Sequence, residues 1–236
     1  MPRTIAALIR HGDYHQLNDT PSAWQPFALN DAGKGHALDA GKSLAAILLE
    51  NQWHLHCVCH ASQLLRAWQT AGIICQQLTL ELANITSLEV QSFDALAERS
   101  VGSVANLSNA KIKKIVQADP RYPDLPEDWK SNSLFCLPFQ GAESLMQSGE
   151  RVAQHLNDSM LQLQKEVEQD SLQLFVGHGA AFRHAAHKLG VLEFEQIAKL
   201  SMYHGSPVYL ELLDNGEWTH VAGDWKVRPA KTKYTD

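Results

Sequence analysis

The sequence predicts an α/β fold, a single three-layer α/β/α domain with a mostly parallel central sheet. Three observations carry that expectation. The run Ile5-Ala6-Ala7-Leu8-Ile9 is apolar without interruption, as a strand buried on both faces is. Runs of this kind alternate along the chain with segments of helical spacing, the pattern of strands joined by crossover helices. Near the end, two apolar runs flank Asp214-Asn215-Gly216, a hairpin turn signal that adds antiparallel pairing.

Taken in order, residues 5–9 form the first strand. Residues 31–50 follow as a helix, with Leu38, Leu44, Ala45 and Leu48 on one face and Asp31 able to cap its start. His54-Leu55-His56-Cys57-Val58-Cys59 alternates as a strand and leads through His60-Ala61-Ser62 into a helix over 64–80. Residues 88–93 read as a strand, 111–118 as a short basic amphipathic helix, and 143–168 as a long helix carrying Leu145, Val152, Leu156, Leu161 and Leu163. Residues 172–177 form a strand that ends at His178, 180–189 a helix, and 208–213 with 218–221 the terminal hairpin. No internal repeat is present. The irregular stretch 119–141 holds Pro120, Pro123, Pro126 and Pro138 among aromatics and is too long for a simple connector. The expectation is one domain over 1–236 with an insert or lid at about 103–141; a domain boundary in that stretch is the competing reading.

The 236-residue chain is 44% apolar and 19% charged, with a net charge of -6. That is the composition of a soluble globular protein. It offers no footprint for nucleic acid and none for an anionic membrane, so any phosphate chemistry requires a local basic pocket. Four cysteines form no secreted-type framework, and residues 5–9 are too short for a signal segment or a membrane span, which makes the expected compartment cytoplasmic. Oligomeric state is not legible, because one sequence does not distinguish an exposed apolar stripe from core.

Four short units carry candidate chemistry. Arg10-His11-Gly12 follows the first strand directly: a guanidinium can hold phosphate oxygens, a neutral imidazole can attack phosphorus, and Gly12 lets the backbone approach. Arg66 stands in the first turns of the second helix, where a bidentate grip on phosphate is one reading and a surface ion pair the other. Glu98, in Leu96-Ala97-Glu98-Arg99, lies just beyond the third strand and is the candidate general acid and base; a solvated Glu98–Arg99 pair is the alternative. Val176-Gly177-His178-Gly179 repeats the strand-to-histidine arrangement and opens a helix, so an imidazole and backbone N–H groups at Gly179 can meet an anion.

Arg10-His11-Gly12, Ser62-x-x-x-Arg66-Ala67-x-Gln69-Thr70-Ala71, Leu96-x-Glu98-Arg99-x-x-Gly102, Gly141-Ala142-Glu143-Ser144 and Gly177-His178-Gly179 together resemble the ordered motif set of the histidine phosphatase superfamily, in its phosphoglycerate mutase-like branch. The resemblance spans most of the chain. It implies a phosphoglycerate mutase-like α/β/α domain and a transient phosphohistidine, with no metal and no cofactor. By matching positions, His11 would be the nucleophile, Arg10, Arg66, His178 and Gly179 the phosphate pocket, and Glu98 the general acid and base.

Departures from the mutase pattern point the phosphohistidine toward water. Ser100-Val101-Gly102-Ser103 follows the Glu-Arg unit where the mutases carry an aromatic residue and a lysine-bearing glycine-rich stretch. The segment 103–140 also looks shorter than its mutase counterpart and lacks a pair of arginines. The expected activity is hydrolysis of a phosphate monoester, on a small molecule or a phosphoprotein. A mutase and a phospho-ligand-binding module without catalysis are the alternatives. Trp129, Phe135, Phe139 and nearby lysines are candidates for a substrate pocket. Arg183, His184 and His187 could touch substrate but read more simply as a helix face, His15 is ambiguous, and Tyr203-His204-Gly205-Ser206 could border the pocket. Lys111, Lys113 and Lys114 read as a solvated face. Cys57 and Cys59 share one strand face by alternation, which with His60 makes core rather than metal ligands. Gly35 to Ser43 imitates a phosphate loop but has the wrong glycine spacing and belongs to a helix.

Overall fold

The computed structural model describes residues 2–83, 85 and 87–229. The first elements are β1 (Thr4–Arg10), α1 (Asp31–Asn51), β2 (His54–Leu55), β3 (Val58–Ser62), α2 (Leu65–Glu81) and β4 (Glu89–Phe93). They are followed by α3 (Asn109–Ala118), α4 (Leu145–Glu166), β5 (Ser171–Gly177), α5 (Gly179–Lys188), α6 (Phe194–Lys199), β6 (Leu200–Ser201), β7 (Pro207–Leu212), β8 (Trp218–Ala222) and β9 (Lys226–Val227). The main sheet runs β4-β3-β5-β1-β7-β8, with β2 also on β5, and β6 and β9 make a separate ribbon. Pairing is parallel from β4 to β1 and antiparallel through β7 and β8, as the hairpin signal predicts.

The pleat of β1 explains the three layers. Ile5, Ala7 and Ile9 point to one face and pack with Leu44 and Leu48 of α1 and Ile74 and Leu78 of α2. Ala6 and Leu8 point to the other and pack with Leu156 and Met160 of α4 and Phe182 of α5. A strand covered on both sides has no solvent face, so it carries no polar alternation.

Several local expectations are corrected. Asn30, not Asp31, caps α1: its Oδ1 accepts from the Gly33 N–H at 2.8 Å, and Asp31 is the first helical residue. Leu38 lies off the buried stripe of α1 and Leu161 off that of α4, 42% and 37% exposed. The strand expected over 54–59 is two strands, because pairing with β5 lapses after the His56 N–H bonds Leu172 O and returns only at His60 and Ala61, while β4 joins from Val58. That break leaves Cys57 outside both strands and exposed, while Cys59 is in the core.

Residues 103–141 are gathered at their base, where the Ser103 N–H bonds Gln140 O at 3.1 Å and Val101 bridges Ala142. They build a small core together with Ala23 and Val101: Val104, Ile112, Trp129 and Leu137, with Phe135 and Phe139 against them. The aromatics expected to build a substrate pocket are therefore packing residues of this segment.

Candidate active site at the carboxyl edge of the sheet

Strand register assembles the site. Arg10 pairs with Gly177, so the next residues on the two parallel strands, His11 and His178, leave the sheet side by side. The His11 N–H donates to Gly177 O at 2.9 Å, and the two rings stand 5.0 Å apart. Ala61 pairs with Val176, which brings Ser62 at the end of β3 to His178, with Ser62 Oγ 2.9 Å from Nε2.

His11 is buried, and its partners fix its tautomer. Nδ1 lies 2.7 Å from the Gly12 carbonyl oxygen, which only accepts, so Nδ1 carries the proton. Nε2 then holds the lone pair, which receives the Arg66 Nε–H at 3.2 Å. Burial, then the charge of Arg66, holds the His11 imidazolium well below its ordinary range. The same two causes, in the same order, keep His178 neutral. Arg66 Nη2, a donor only, lies 3.3 Å from His178 Nδ1. The Ser62 hydroxyl on the other nitrogen can accept or donate, so it accommodates either tautomer of this ring.

Arg66 is fully buried, which rules out the surface ion pair. It also corrects the bidentate grip, since most of its five N–H groups serve the protein. Nη1 donates to Gln25 O at 2.9 Å and Nη2 to Ser22 O and Ala23 O at 3.0 and 2.8 Å, besides the bond from Nε to His11. Arg66 thus fastens the 22–25 loop to the two histidines. Tyr14 lies under the guanidinium, 4.6 Å from its Cζ, with its ring 5.4 Å from His11.

Arg10 bonds Met202 O through Nη1 at 3.0 Å. A Cβ at Gly179 would stand 3.0 Å from Arg10 Cδ, so Gly179 makes room for the arginine as well as opening α5 with an N–H free of intrahelical bonding. Gly12 has a different job from the one expected. Its N–H is committed to Thr70 Oγ1 at 3.0 Å, and a Cβ there would meet Gly33 O at 2.3 Å, so the glycine serves the close approach of α1.

Glu98 is half-buried on the wall of a cleft of about 770 Å³. One carboxylate oxygen accepts from the backbone N–H of Arg99 at 2.9 Å, and its carbonyl accepts from Trp24 Nε1 at 3.0 Å. Its charge acts on Arg10 and Arg66, which links the cleft to the histidines. Arg99 is buried rather than paired at the surface. Arg183 and His184, read as a solvated or partly packed helix face, are buried and line the same cleft; His184 bonds Ala180 O and Ser133 Oγ. His187 bonds Leu192 O, and His15 is exposed. His204 stands beside His11, ring to ring at 5.8 Å. His60 pairs with His155 at 3.1 Å, and among the described residues no three metal-ligating side chains converge.

The sequence reading missed Tyr14, Trp24 and the carbonyls of the 22–25 loop. The loop carbonyls have no side-chain signature to find. A neutral imidazole with its lone pair on Nε2, set beside guanidinium groups on which the Glu98 carboxylate acts, has the chemistry to accept a phosphoryl group and move a proton.

Known proteins resemble this chain in sequence and in fold. The 2,3-bisphosphoglycerate-dependent phosphoglycerate mutase of Parvibaculum lavamentivorans is 26% identical over 224 residues, 92% of this chain and 93% of its own. That of Mesorhizobium japonicum is 28% identical over 214 residues, 90% and 93% of the two chains. A mycobacterial glucosyl-3-phosphoglycerate phosphatase has the same fold, with a TM-score of 0.66 at 19% identity over 97% of this chain and 99% of that one. Phosphoglycerate mutase from Bacillus anthracis gives 0.69 at 16%, over 94% and 92%. The sequence pattern of the histidine phosphatase superfamily (branch 1) matches residues 6–224, from the first strand with His11 at its end to the terminal hairpin, and the chain belongs to that superfamily.

Proposed function

We propose that this enzyme hydrolyses a phosphate monoester in two steps through phosphorylated His11. His11 Nε2 attacks phosphorus and the P–O bond to the alcohol breaks, the departing oxygen taking a proton from Glu98 in its acid form. Water then attacks the phosphohistidine and gives its proton to the Glu98 carboxylate. The P–N bond breaks, and inorganic phosphate leaves. Arg10, His178 and the backbone at Gly179 take up charge on the phosphoryl oxygens, and Arg66, whose Nε–H leaves the Nε2 lone pair as phosphorus approaches, adds its charge. The observation that supports this reading most is the tautomer of His11: the Gly12 carbonyl holds the proton on Nδ1 and so leaves the lone pair on Nε2, which attacks once it parts from the Arg66 Nε–H. No step calls for a metal or an organic cofactor. The cleft beside Glu98 has the size of a small-molecule site rather than a protein-docking face.

Incubation with 4-nitrophenyl phosphate should give released phosphate and an acid-labile phosphohistidine detectable by mass on the peptide holding His11. His11→Ala should lose both; undiminished hydrolysis by that variant removes His11 as nucleophile. The curated relatives named as mutases, similar over about nine-tenths of this chain, favour a second reading, transfer between hydroxyls of one substrate. A mutase would need a bisphosphorylated primer and would release little phosphate in the same assay.

A further inference from the structure

We propose that Trp24 is a positioning residue: its indole N–H fixes the peptide plane between Glu98 and Arg99, and so aims the Glu98 carboxyl at the oxygen that departs from phosphorus. The proposal rests on the reading of Glu98 as general acid and base.

The loop bearing Glu98 is held on both flanks by α4 and the residue before it. Arg151 takes the carbonyls of Asp94, Ala95 and Ala97, and Glu143 bonds Ser100 through both the N–H and the carbonyl of that residue. These bonds skip the peptide unit between Glu98 and Arg99. Its carbonyl accepts from Trp24 Nε1 at 3.0 Å, and its N–H donates to Glu98 Oε1 at 2.9 Å. In a trans peptide the C=O and N–H point in opposite directions. An indole that holds the carbonyl on one side therefore sets the N–H, and the carboxylate oxygen on it, on the other. Oε1 is kept as the acceptor, so in the acid form the proton rides on Oε2.

Trp24 is itself anchored to the nucleophile. The carbonyls of Ser22, Ala23 and Gln25, on both sides of it, accept from the Arg66 guanidinium, whose Nε bonds His11 Nε2. Gln25 is wholly buried and stiffens the same loop, its Nε2 donating to Pro21 O and its Oε1 accepting from the Leu17 N–H, each at 2.9 Å. Among the described residues, the indole bond is the only hydrogen bond between residues 22–25 and 94–99. The acid is thus placed relative to the attacking nitrogen through Arg66, the 22–25 loop and Trp24 in turn.

Burial does not call for this bond. The indole is 40% exposed, so water could satisfy its N–H, and among the described residues Trp24 belongs to no buried cluster, unlike its neighbour Ala23.

The test is a double-mutant cycle on the intact chain. It reads kcat/KM for phenyl phosphate, whose poor leaving group needs the proton, and for 4-nitrophenyl phosphate, which needs it less. Trp24→Phe keeps an aromatic ring and removes the donor. It should slow phenyl phosphate about tenfold more than 4-nitrophenyl phosphate, a part of the roughly 10²–10⁴ that a placed general acid contributes. Its melting temperature should stay close to that of the unaltered chain, because the side chain is exposed. Glu98→Gln should show the same selectivity more strongly, and adding Trp24→Phe to it should cost phenyl phosphate nothing further, since the indole acts through Glu98. Equal slowing of both substrates by Trp24→Phe overturns the proposal, as does a loss that repeats in full in the Glu98→Gln background. A selective Glu98→Gln beside an unselective Trp24→Phe strikes the proposal alone, whereas an unselective Glu98→Gln strikes the acid assignment and the proposal with it.

Discussion

At the scale of single residues, the glycines next to His11 show how one residue type serves opposite ends. Gly12 invites a phosphate reading in the sequence because it follows Arg10-His11, yet it is needed for a backbone contact with Gly33. A Cβ on Gly33 would stand 1.8 Å from the Asp13 carbonyl oxygen, an atom with no flexible end to move aside. Gly33→Ala should therefore destabilise the fold by about 3 kcal/mol, at the upper end of overpacking costs, and disturb the loop that carries His11. Gly35, two residues on in the same helix, has nothing within 4 Å of its added Cβ. Gly35→Ala should stabilise by about 0.5–1 kcal/mol, the ordinary gain of alanine over glycine in a helix. Denaturant titration of the two variants checks the pair; similar changes in both would show that the α1–loop contact is looser than described.

At the scale of elements, α4 does more than cover the sheet. Ser144 and Gln147 form a capping box at its start, and Glu143, just before it, takes Arg151 through two hydrogen bonds of 3.0 and 2.9 Å. Arg151 also donates to the carbonyls of Asp94, Ala95 and Ala97, and Glu143 bonds the Ser100 N–H, so the start of α4 brackets the loop bearing Glu98. Ser144→Ala should cost about 1 kcal/mol and lower the melting temperature by about 2–4 °C. An unchanged melting curve would mean the cap contributes nothing. The sequence announced this helix through Val152, Leu156 and Leu163, because an amphipathic stripe many turns long rises above local noise. It did not announce α6, β6 or β9, whose few residues hold no full period, nor the break between β2 and β3, where pairing with β5 lapses and then returns. The candidate site was legible as residue types at strand ends. The second partner of each, such as Arg66 on loop carbonyls or Gly12 on Thr70, was not, because backbone acceptors leave no trace in composition.

At the scale of the whole molecule, the carboxyl edge and the core beside it hold imidazoles in the neutral form. His60, His184 and His204 are each pushed down to about 4, with burial the first cause in every case, and His155, His11 and His178 shift the same way. In the unfolded chain these rings titrate near 6.5, so between that value and about 4 the unfolded state binds more protons. Stability is then full above pH 6.5 and is lost as pH falls toward 4, each ring contributing up to about 1.4 kcal/mol per pH unit before solvent screening reduces it. Asp13 and Asp119, whose pKa values are lowered, lose their contributions only below the ordinary carboxylate range, so they leave this window to the histidines. Calorimetric unfolding should show a plateau at neutral pH and a steep fall from 6.5 to 4.5. His60→Gln should flatten the fall, because it removes one buried ring and frees His155 from its neighbour. A melting temperature independent of pH across that window would mean that the rings titrate freely in the folded state and that His11 is not held neutral by its surroundings.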